Sequence, residues 1–220
     1  MPELPEVEVV KKSLQAKVKN LIVKRVFINN NQLRYKISNR DFYGIKGRKI
    51  ISIKRRSKYL LINLNQGLTI LAHLGMTGKF FIIGKNNKKQ KTSFYYSIEK
   101  DESKHDHLTL YLNQGIKLIY NDVRKFGFLK VFKSKNLYKS NHLKFLGPEP
   151  LNKDFNLNYV TRYCLGKKKT IKNLLMDQKF VSGLGNIYCN EILFWCKIKP
   201  DRIIKKINNK KFCNLIKYTK

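Results

Sequence analysis

The sequence predicts an α+β protein in which a helix and an antiparallel β domain precede a helical domain. Apolar residues recur every three to four positions near the N-terminus. Short β-branched and aromatic runs separated by turns then continue from Leu21 to about Phe132, and helical periodicity returns beyond residue 150. A set of strands followed by a set of helices is typical of this class. The linker Gly147-Pro148-Glu149-Pro150 separates the predicted domains, residues 1–146 and 147–220.

The acidic residues are concentrated at the N-terminus, where the first helix is predicted. Glu3, Glu6 and Glu8 are three of only 14 acidic residues in the chain. Pro5 suits the first position of a helix, which is predicted to continue to about Lys19. Helix capping explains Glu6 and Glu8, but not Glu3, which precedes the predicted helix. The apolar face of this helix consists of Val7, Val10, Leu14 and Val18.

Nine segments are predicted as strands, and their even spacing is typical of an antiparallel sandwich or barrel. Gln66-Gly67 and Gln114-Gly115 predict tight hairpins between neighbouring strands. The predicted strands are Ile22–Ile28, Lys49–Lys54, Tyr59–Leu64, Leu68–His73, Lys79–Ile83, Thr92–Ile98, His107–Leu112, Lys117–Tyr120 and Phe128–Phe132.

Helices are predicted at Phe155–Cys164, Thr170–Asp177 and Asn186–Trp195, with a further helix starting near Ile204. A glycine-rich turn, residues 181–186, joins two of them. It is not a dinucleotide-binding fingerprint, because Tyr188 occupies the place of the third glycine. Asn186 is predicted to cap the following helix, whose free N–H groups could bind phosphate. A plain helix hairpin is the simpler interpretation of this turn.

The composition indicates a folded protein with a strongly cationic surface. Lys and Arg total 47, the formal net charge is +33, and 42% of the residues are hydrophobic, which is too many for a disordered basic tail. This charge suits a polyanion such as DNA. A codon bias would explain part of the lysine excess, and a membrane surface or the ribosome is also compatible with the charge alone.

The chain shows no sign of membrane insertion or of a disulfide framework. No apolar run approaches the about 18 residues that span a bilayer, and the first residues do not resemble a signal peptide. The four cysteines include no Cys-x-x-Cys pair, which argues against a zinc ribbon. We therefore expect a protein of the reducing cytosol without a membrane partner. The cysteines are Cys164, Cys189, Cys196 and Cys213.

An ordered set of motifs resembles the formamidopyrimidine-DNA glycosylases, bacterial enzymes that excise oxidised purines. The first is Met1-Pro2-Glu3-Leu4-Pro5-Glu6-Val7-Glu8, in which Leu4 stands where the related endonuclease VIII branch usually has glycine. The set covers nearly the whole chain and is therefore specific. The other motifs are Ser57-Lys58-Tyr59-Leu60-Leu61, His73-Leu74-Gly75-Met76-Thr77-Gly78, Lys104-His105-Asp106-His107, Asp122-Val123-Arg124-Lys125-Phe126-Gly127, Leu146-Gly147-Pro148-Glu149-Pro150, Lys172-Asn173-Leu174-Leu175-Met176-Asp177-Gln178, Gly183-Leu184-Gly185-Asn186-Ile187-Tyr188 and Ile198-Lys199-Pro200.

The resemblance implies a β-sandwich followed by a helix–two-turn–helix domain, and it implies roles for the N-terminal residues. Removal of Met1 exposes the amine of Pro2, and an α-amino group, with a pKa of about 7.7–8.0, is far more often neutral at pH 7.4 than a lysine. This amine would attack C1′ of the nucleotide and form a Schiff base. Glu3 would be the general acid, with Glu6 as a supporting carboxylate, and Lys58 would assist β-elimination. From composition alone, Lys58 would be a solvated lysine.

The resemblance also implies that the enzyme extrudes the damaged base and fills the gap that this leaves. Met76, Arg124 and Phe126 match the three side chains that do so, and their neighbouring glycines predict exposed loop tips. His107 is expected on the same strand and side as His105. The remaining predicted DNA contacts are His105, Lys167, His73, Lys172 and Asn186.

The C-terminus departs from the family pattern. Family members continue into a β-hairpin zinc finger with four cysteines, whereas this sequence ends at Lys220, and Cys196 and Cys213 do not match its spacing. We therefore expect no metal or other cofactor in this chain, although family members bind one zinc ion.

The resulting prediction is a monomeric base-excision-repair glycosylase and abasic-site lyase in the bacterial cytosol, associated with the nucleoid, acting on oxidised purines in double-stranded DNA. Two alternatives stay open. One is an endonuclease VIII-like enzyme for oxidised pyrimidines, and the other is a non-catalytic binder of damaged DNA, because the finger is missing.

Overall fold

The computed structural model describes residues 2–84, 86, 88–93 and 102–220. The chain forms two compact units, Met1–Lys139 and Ser140–Lys220. Each unit has its own hydrophobic core. The domain limits of 1–146 and 147–220 stay a prediction.

Helix α1 spans Leu4–Val18, and Glu3 is its N-cap residue. Its buried side chains are Val7, Val10, Leu14 and Val18, which confirms the predicted amphipathic helix. The backbone N–H of Glu3 donates to Oε2 of Glu6 at 2.8 Å. The prediction that capping leaves Glu3 unexplained is therefore wrong, because a carboxylate three residues on satisfies its backbone donor.

The first unit is an antiparallel β-sandwich. Its sheets have the strand orders β1-β7-β8-β5-β6 and β2-β3-β4-β9, and α1 and both sheets contribute to one core. A short helix α2, Asn39–Tyr43, was not predicted; Ser38 caps it. The strands in the described part of the chain are β1 (Val23–Ile28), β2 (Ile50–Arg56), β3 (Tyr59–Leu64), β4 (Leu68–His73), β5 (Lys79–Ile83), β6 (Lys89–Lys91), β7 (Asp106–Leu112), β8 (Lys117–Asn121) and β9 (Phe128–Lys133).

One predicted strand is not found at its described residues, strand β6 was not predicted, and both hairpin predictions are confirmed. Thr92 and Ser93 are not in a strand, and the rest of the predicted strand Thr92–Ile98 lies outside the described residues. Gln66-Gly67 and Gln114-Gly115 each place two successive residues at positive φ, between β3 and β4 and between β7 and β8. This conformation matches the right-handed twist of the paired strands.

The second unit is helical: α3 spans Leu157–Cys164, α4 Ile171–Met176, α5 Asn186–Trp195 and α6 Asn209–Thr219. The helix predicted near Ile204 is only a 3₁₀ turn, Ile204–Lys206. The α-helix begins later because the side chain of Asn208 accepts from the backbone N–H of Lys211 and caps it. Across the described residues, no helix has the length and apolar character needed to cross a membrane.

Candidate active site

The first turn of α1 holds a buried carboxyl group. Glu3 is 2% exposed, whereas Pro2 and Glu6 are half-buried. The 2.8 Å hydrogen bond from the N–H of Glu3 to Glu6 fixes the backbone between Pro2 and the helix. Burial of a carboxyl group costs free energy unless partners compensate it. A buried acid at the very start of a cationic chain is therefore an unusual feature, and it coincides with the predicted general acid.

Lys58 is also buried. It is 7% exposed and follows Ser57, whose φ of 55° marks the turn between β2 and β3. Lysine is rarely buried to this extent without a specific partner or role. The expectation from composition, a solvated strand lysine, is therefore wrong. The buried position agrees with the role that the resemblance implies for Lys58, and this role stays a prediction.

Arg55 connects α1 to the turn that carries Lys58. Its Nε donates to Oε2 of Glu8 at 2.8 Å, and its Nη1 donates to the carbonyl oxygen of Ser57 at 3.0 Å. Lys11 donates to the other oxygen of Glu8 at 2.8 Å. Partial burial alone would raise the pKa of Glu8, but the hydrogen bonds and positive charges of Lys11 and Arg55 outweigh it and hold this pKa below its ordinary value of 4.5.

An open cleft of about 700 Å³ lies between the end of β4 and the loop before β9. Met76 and Phe126 at its edge are 40% and 47% exposed, which confirms the prediction of exposed loop tips. The guanidinium carbon of Arg124 lies 4.6 Å from the centre of the Phe126 ring. Three of the predicted DNA contacts thus meet His73 in one cleft. Its lining residues are Arg34, His73, Gly75, Met76, Arg124, Lys125 and Phe126.

The ring of His73 is held in one orientation. It stacks on Phe128, with ring centres 5.7 Å apart and planes at 13°, and its Nδ1 accepts from the backbone N–H of Gly75 at 3.0 Å. In the neutral ring the proton is then on Nε2, which makes Nε2 a hydrogen-bond donor. A donor in a cationic cleft suits an anionic ligand.

The structure separates His105 from His107. His105 is half-buried at the end of the 3₁₀ helix Glu102–His105, whereas His107 lies on β7 and is 1% exposed. The nitrogens of His107 lie 3.1 Å from the carbonyl oxygen of Asn30 and 3.0 Å from that of Asp122. The prediction that the two histidines share a strand and a side is therefore wrong, because His107 is part of the interior.

The second unit carries the other three predicted DNA contacts. Lys167 is half-buried in the loop after α3, with its ammonium group 4.3 Å from the centre of the Tyr163 ring. Lys172 is half-buried in the first turn of α4. Asn186 is exposed as the first residue of α5, whose N-cap is Gly185, so the prediction that Asn186 is the cap is wrong. The side chain of Gln178 fixes the preceding turn, accepting from Gly183 and donating to Leu184, each at 2.8 Å.

Three residues at or beside the cleft of the first unit were not singled out from the sequence: Arg34, Thr77 and Asp122. Arg34 lines the cleft, and its backbone N–H donates to the carbonyl oxygen of Gly127 at 3.2 Å. The polar sequence around Arg34 contains no motif that predicts a position in the cleft. Asp122 and Thr77 lie within recognised motifs, and Asp122 is completely buried. An aspartate directly after a run of strand residues was the available signal for Asp122.

Comparison with known proteins gives consistent results over the whole chain. Residues 1–129 match the formamidopyrimidine-DNA glycosylase N-terminal domain, and residues 146–220 match the formamidopyrimidine-DNA glycosylase H2TH domain. Formamidopyrimidine-DNA glycosylase of Rickettsia bellii is 40% identical over 216 residues, covering 98% of this chain and 74% of the relative. The protein of that name from Rhodopseudomonas palustris is 37% identical over 211 residues, covering 96% and 72%.

Solved structures with the same fold include two complexes of Lactococcus lactis Fpg. A complex with DNA containing an abasic site has a TM-score of 0.84 and 28% identity, covering 99% of this chain and 76% of that one. A complex with DNA containing N7-benzyl-Fapy-dG has a TM-score of 0.85 and 29% identity, with the same coverage of 99% and 76%. These findings confirm the fold class and the recognised resemblance, and the chain belongs to the formamidopyrimidine-DNA glycosylase family.

Proposed function

We propose that this protein is a base-excision-repair DNA glycosylase with abasic-site lyase activity, which removes oxidised purines such as 8-oxoguanine and formamidopyrimidines from duplex DNA. The observation that carries the proposal is the burial of Glu3 and Lys58, two ionisable side chains at motif positions, in a protein whose other charges are mostly exposed. The names of the relatives and the damaged DNA in the Lactococcus lactis complexes support the same activity.

The amine of Pro2 is the proposed nucleophile. It attacks C1′ of the damaged nucleotide, the bond from C1′ to the base breaks, and the base leaves with the electron pair of that bond. The proton lost from the Pro2 nitrogen balances the negative charge of the departing base. Glu3 protonates the sugar ring oxygen as the ring opens, which leaves an iminium ion between Pro2 and C1′. The hydrogen bond from the Glu3 backbone to Glu6 keeps the residue next to the nucleophile in a fixed conformation.

The iminium ion makes the C2′ hydrogens acidic, so the strand can be cleaved in the same site. Loss of a C2′ proton expels the 3′ phosphate in β-elimination, and δ-elimination can follow. Lys58 is the proposed assistant of this step and a phosphate contact. Arg55 supports it, because it hydrogen-bonds both Glu8 of α1 and the residue before Lys58.

The cleft of the first unit is the proposed site of duplex opening. Met76 and Phe126 provide exposed apolar side chains, and Arg124 provides hydrogen-bond donors for the base that has lost its partner. His73 and His105, together with Lys167, Lys172 and Asn186, are proposed to contact the DNA backbone. We place the protein in the bacterial cytosol, as a monomer on double-stranded DNA.

Excision assays test the proposal. The protein is incubated with duplexes containing either 8-oxoguanine opposite cytosine or thymine glycol, and borohydride is added to trap the Schiff base. We expect faster excision of 8-oxoguanine and a trapped covalent complex. Faster excision of thymine glycol would indicate the pyrimidine-specific alternative, and binding without excision or trapping would indicate a non-catalytic DNA binder.

A matched pair of lysine variants adds a control. Lys54 is an exposed lysine of β2, four residues before Lys58. We expect Lys58→Ala to reduce strand cleavage strongly and Lys54→Ala to leave it near the wild-type rate. Equal effects of the two substitutions would show that only overall charge is involved.

A further inference from the structure

Asp122 lies at the junction of the two loops that form the cleft. Residues 74–78 connect β4 to β5 and carry Met76, whereas residues 122–127 connect β8 to β9 and carry Arg124 and Phe126. The side chains of Met76 and Phe126 are exposed, but Asp122 is 0% exposed. A buried carboxylate beneath exposed loop tips needs hydrogen-bond partners to compensate its lost hydration.

Both oxygens of Asp122 accept hydrogen bonds, one from each loop. Oδ1 accepts from Oγ1 of Thr77 at 2.5 Å, and Oδ2 accepts from the backbone N–H of Gly127 at 2.8 Å. Oγ1 of Thr77 also accepts from the backbone N–H of Arg124 at 3.0 Å. Thr77 follows Met76 directly, so the tip of one loop is hydrogen-bonded to Asp122 and Arg124 of the other, and Asp122 also holds Gly127 at the far end of its own loop. Hydrogen bonds to a carboxylate are stronger than those between neutral groups.

The two loops also touch through their backbones. A Cβ atom added to Gly75, which has a φ of 59°, would lie 2.5 Å from the backbone N of Gly127 and the carbonyl carbon of Phe126. A Cβ atom added to Gly127 would clash with the hydroxyl of Tyr120, which donates to the carbonyl oxygen of His73 at 3.1 Å. No side chain fits between the loops, so their separation is fixed by contact as well as by Asp122.

The backbone of Asp122 is anchored too. Its N–H donates to the carbonyl oxygen of His105 at 3.1 Å, and its carbonyl oxygen lies 3.0 Å from Nε2 of His107. The aspartate is therefore joined to the strand β7 and to the 3₁₀ turn before it. With Asp122 held in this way, movement of one loop against the other would have to break the hydrogen bonds of Thr77 and the close backbone contact at Gly75 together.

We propose that Asp122 is a positioning residue that sets the spacing of Met76 against Arg124 and Phe126 before DNA binds, so that the three side chains enter the duplex as one preformed unit. This inference rests on the proposed function, because it assigns those side chains to duplex opening. If the loops that carry these side chains already have their final spacing, they need not be ordered when DNA binds, and less binding free energy is lost. Thr77 contributes to this positioning through its hydroxyl group, which hydrogen-bonds both Asp122 and the backbone of Arg124.

The proposal separates two kinds of substrate. Excision of a lesion from duplex DNA requires the stack to be opened and the gap filled. Cleavage of a single-stranded oligonucleotide with an abasic site requires neither. A defect in loop positioning should therefore slow the first reaction and spare the second, whereas general damage to the fold should slow both.

The test uses substitutions at Thr77 with a matched control elsewhere. Thr77→Val removes the hydroxyl and keeps the shape of the side chain, and Thr77→Ser keeps the hydroxyl. Thr69→Val is the control, because it removes another hydrogen-bonded hydroxyl of the same unit. Thr69 lies on β4, and its Oγ1 contacts Oδ1 of Asn63 at 3.0 Å and Oγ of Ser134 at 2.8 Å. Asp122→Asn is the second positioning variant. Its amide has one oxygen, which can accept from either the Thr77 hydroxyl or the Gly127 N–H but not from both.

Two measurements give separate answers. In the protein without DNA, amide hydrogen exchange at Arg124 and Gly127 should become about 10- to 100-fold faster in Thr77→Val and Asp122→Asn, and should stay near wild type in Thr77→Ser and Thr69→Val. Excision of 8-oxoguanine from duplex DNA should fall by a similar factor in the first two variants, with little change in cleavage of the single-stranded abasic substrate.

Each outcome decides the inference. Unchanged exchange at Arg124 and Gly127 in both positioning variants would overturn it, even if the wild type excised nothing and the proposed function failed. Faster exchange with unaltered duplex excision by an active enzyme would overturn the positioning role. Equal losses on both substrates would assign Asp122 to the stability of the fold alone, which also overturns the inference.

Discussion

Nε of Arg55 lies 2.8 Å from Oε2 of Glu8, so that one guanidinium group joins the first helix to the strand that leads to Lys58. The same side chain donates to the carbonyl oxygen of Ser57 at 3.0 Å. Arginine suits this position because its planar group presents several donors in a fixed geometry. The catalytic residues proposed on two separate elements are thus linked by side chains that take no part in the chemistry.

The Glu8 network predicts a stability difference that depends on pH. The pKa of Glu8 is lowered in the folded protein, so its stabilising effect is complete above its ordinary value of 4.5 and is lost as the pH falls through the lower folded value. Glu8→Gln should therefore cost about 1 kcal/mol of unfolding free energy at pH 7 and much less at pH 3. Urea unfolding at the two pH values measures this.

Glu191 provides the control for that experiment. It is an exposed glutamate on α5, and Glu191→Gln should change the unfolding free energy little at either pH. A Glu8→Gln penalty that was the same at pH 3 and pH 7 would contradict the assignment to ionic hydrogen bonds.

The Pro2 assignment predicts that the N-terminal amine must be free. A protein with an uncleaved N-terminal tag should bind duplex DNA but fail to form a covalent complex, because an amide nitrogen cannot form the iminium ion. Gel analysis after borohydride treatment measures the complex, and a filter-binding assay measures affinity. Undiminished cross-linking by the tagged protein would exclude Pro2 as the nucleophile.

The Glu3 assignment predicts a substrate-dependent loss. Glu3→Gln keeps the size of the side chain and removes the proton donor, and general acid–base catalysis typically contributes about 10²- to 10⁴-fold. Base excision should fall by that order, whereas strand cleavage at a preformed abasic site should fall less, because no base has to leave. Single-turnover rates on the two duplexes make the comparison, and equal losses would point to binding or folding instead.

The cysteines should differ in reactivity. Burial raises the pKa values of the Cys164 and Cys196 thiols to about 11, so about one thiol in a thousand is ionised at pH 8. Cys189 is fully buried, and Cys213 is exposed on α6. A thiol reagent at pH 8 should therefore label Cys213 rapidly and the other three only after denaturation. Mass spectrometry of the labelled peptides would reveal any early reaction at the buried sites.

Elements with a strong local pattern were predictable from the sequence. Strands β3, β4 and β5 and helix α5 have the predicted limits, because a short apolar run or helical spacing and a clear turn define both ends. The short helix α2 was missed since five residues give too little periodicity. The start of α6 was predicted too early, near Ile204, because the segment before its cap residue Asn208 has the apolar spacing of a helix.

The sequence predicted which residues belong to the candidate site, but not how deeply they are buried or what they contact. The motifs singled out the residues that line the cleft, except for Arg34, whose position depends on the backbone contact between its loop and Gly127. The burial of Lys58 and His107 was not predicted, since burial of a polar side chain depends on which other elements pack over it. The catalytic and DNA-binding roles of the named residues stay predictions.

The separate cores of the two units bear on how such a chain can evolve. The first core is built from residues between Val7 and Leu129, and the second from residues between Phe155 and Leu215. Lys167 and Lys172 belong to the helical unit, whereas Glu3 and Lys58 belong to the first unit. Because each unit packs around its own residues, affinity for a partner and the chemistry of the reaction can drift under selection at different rates.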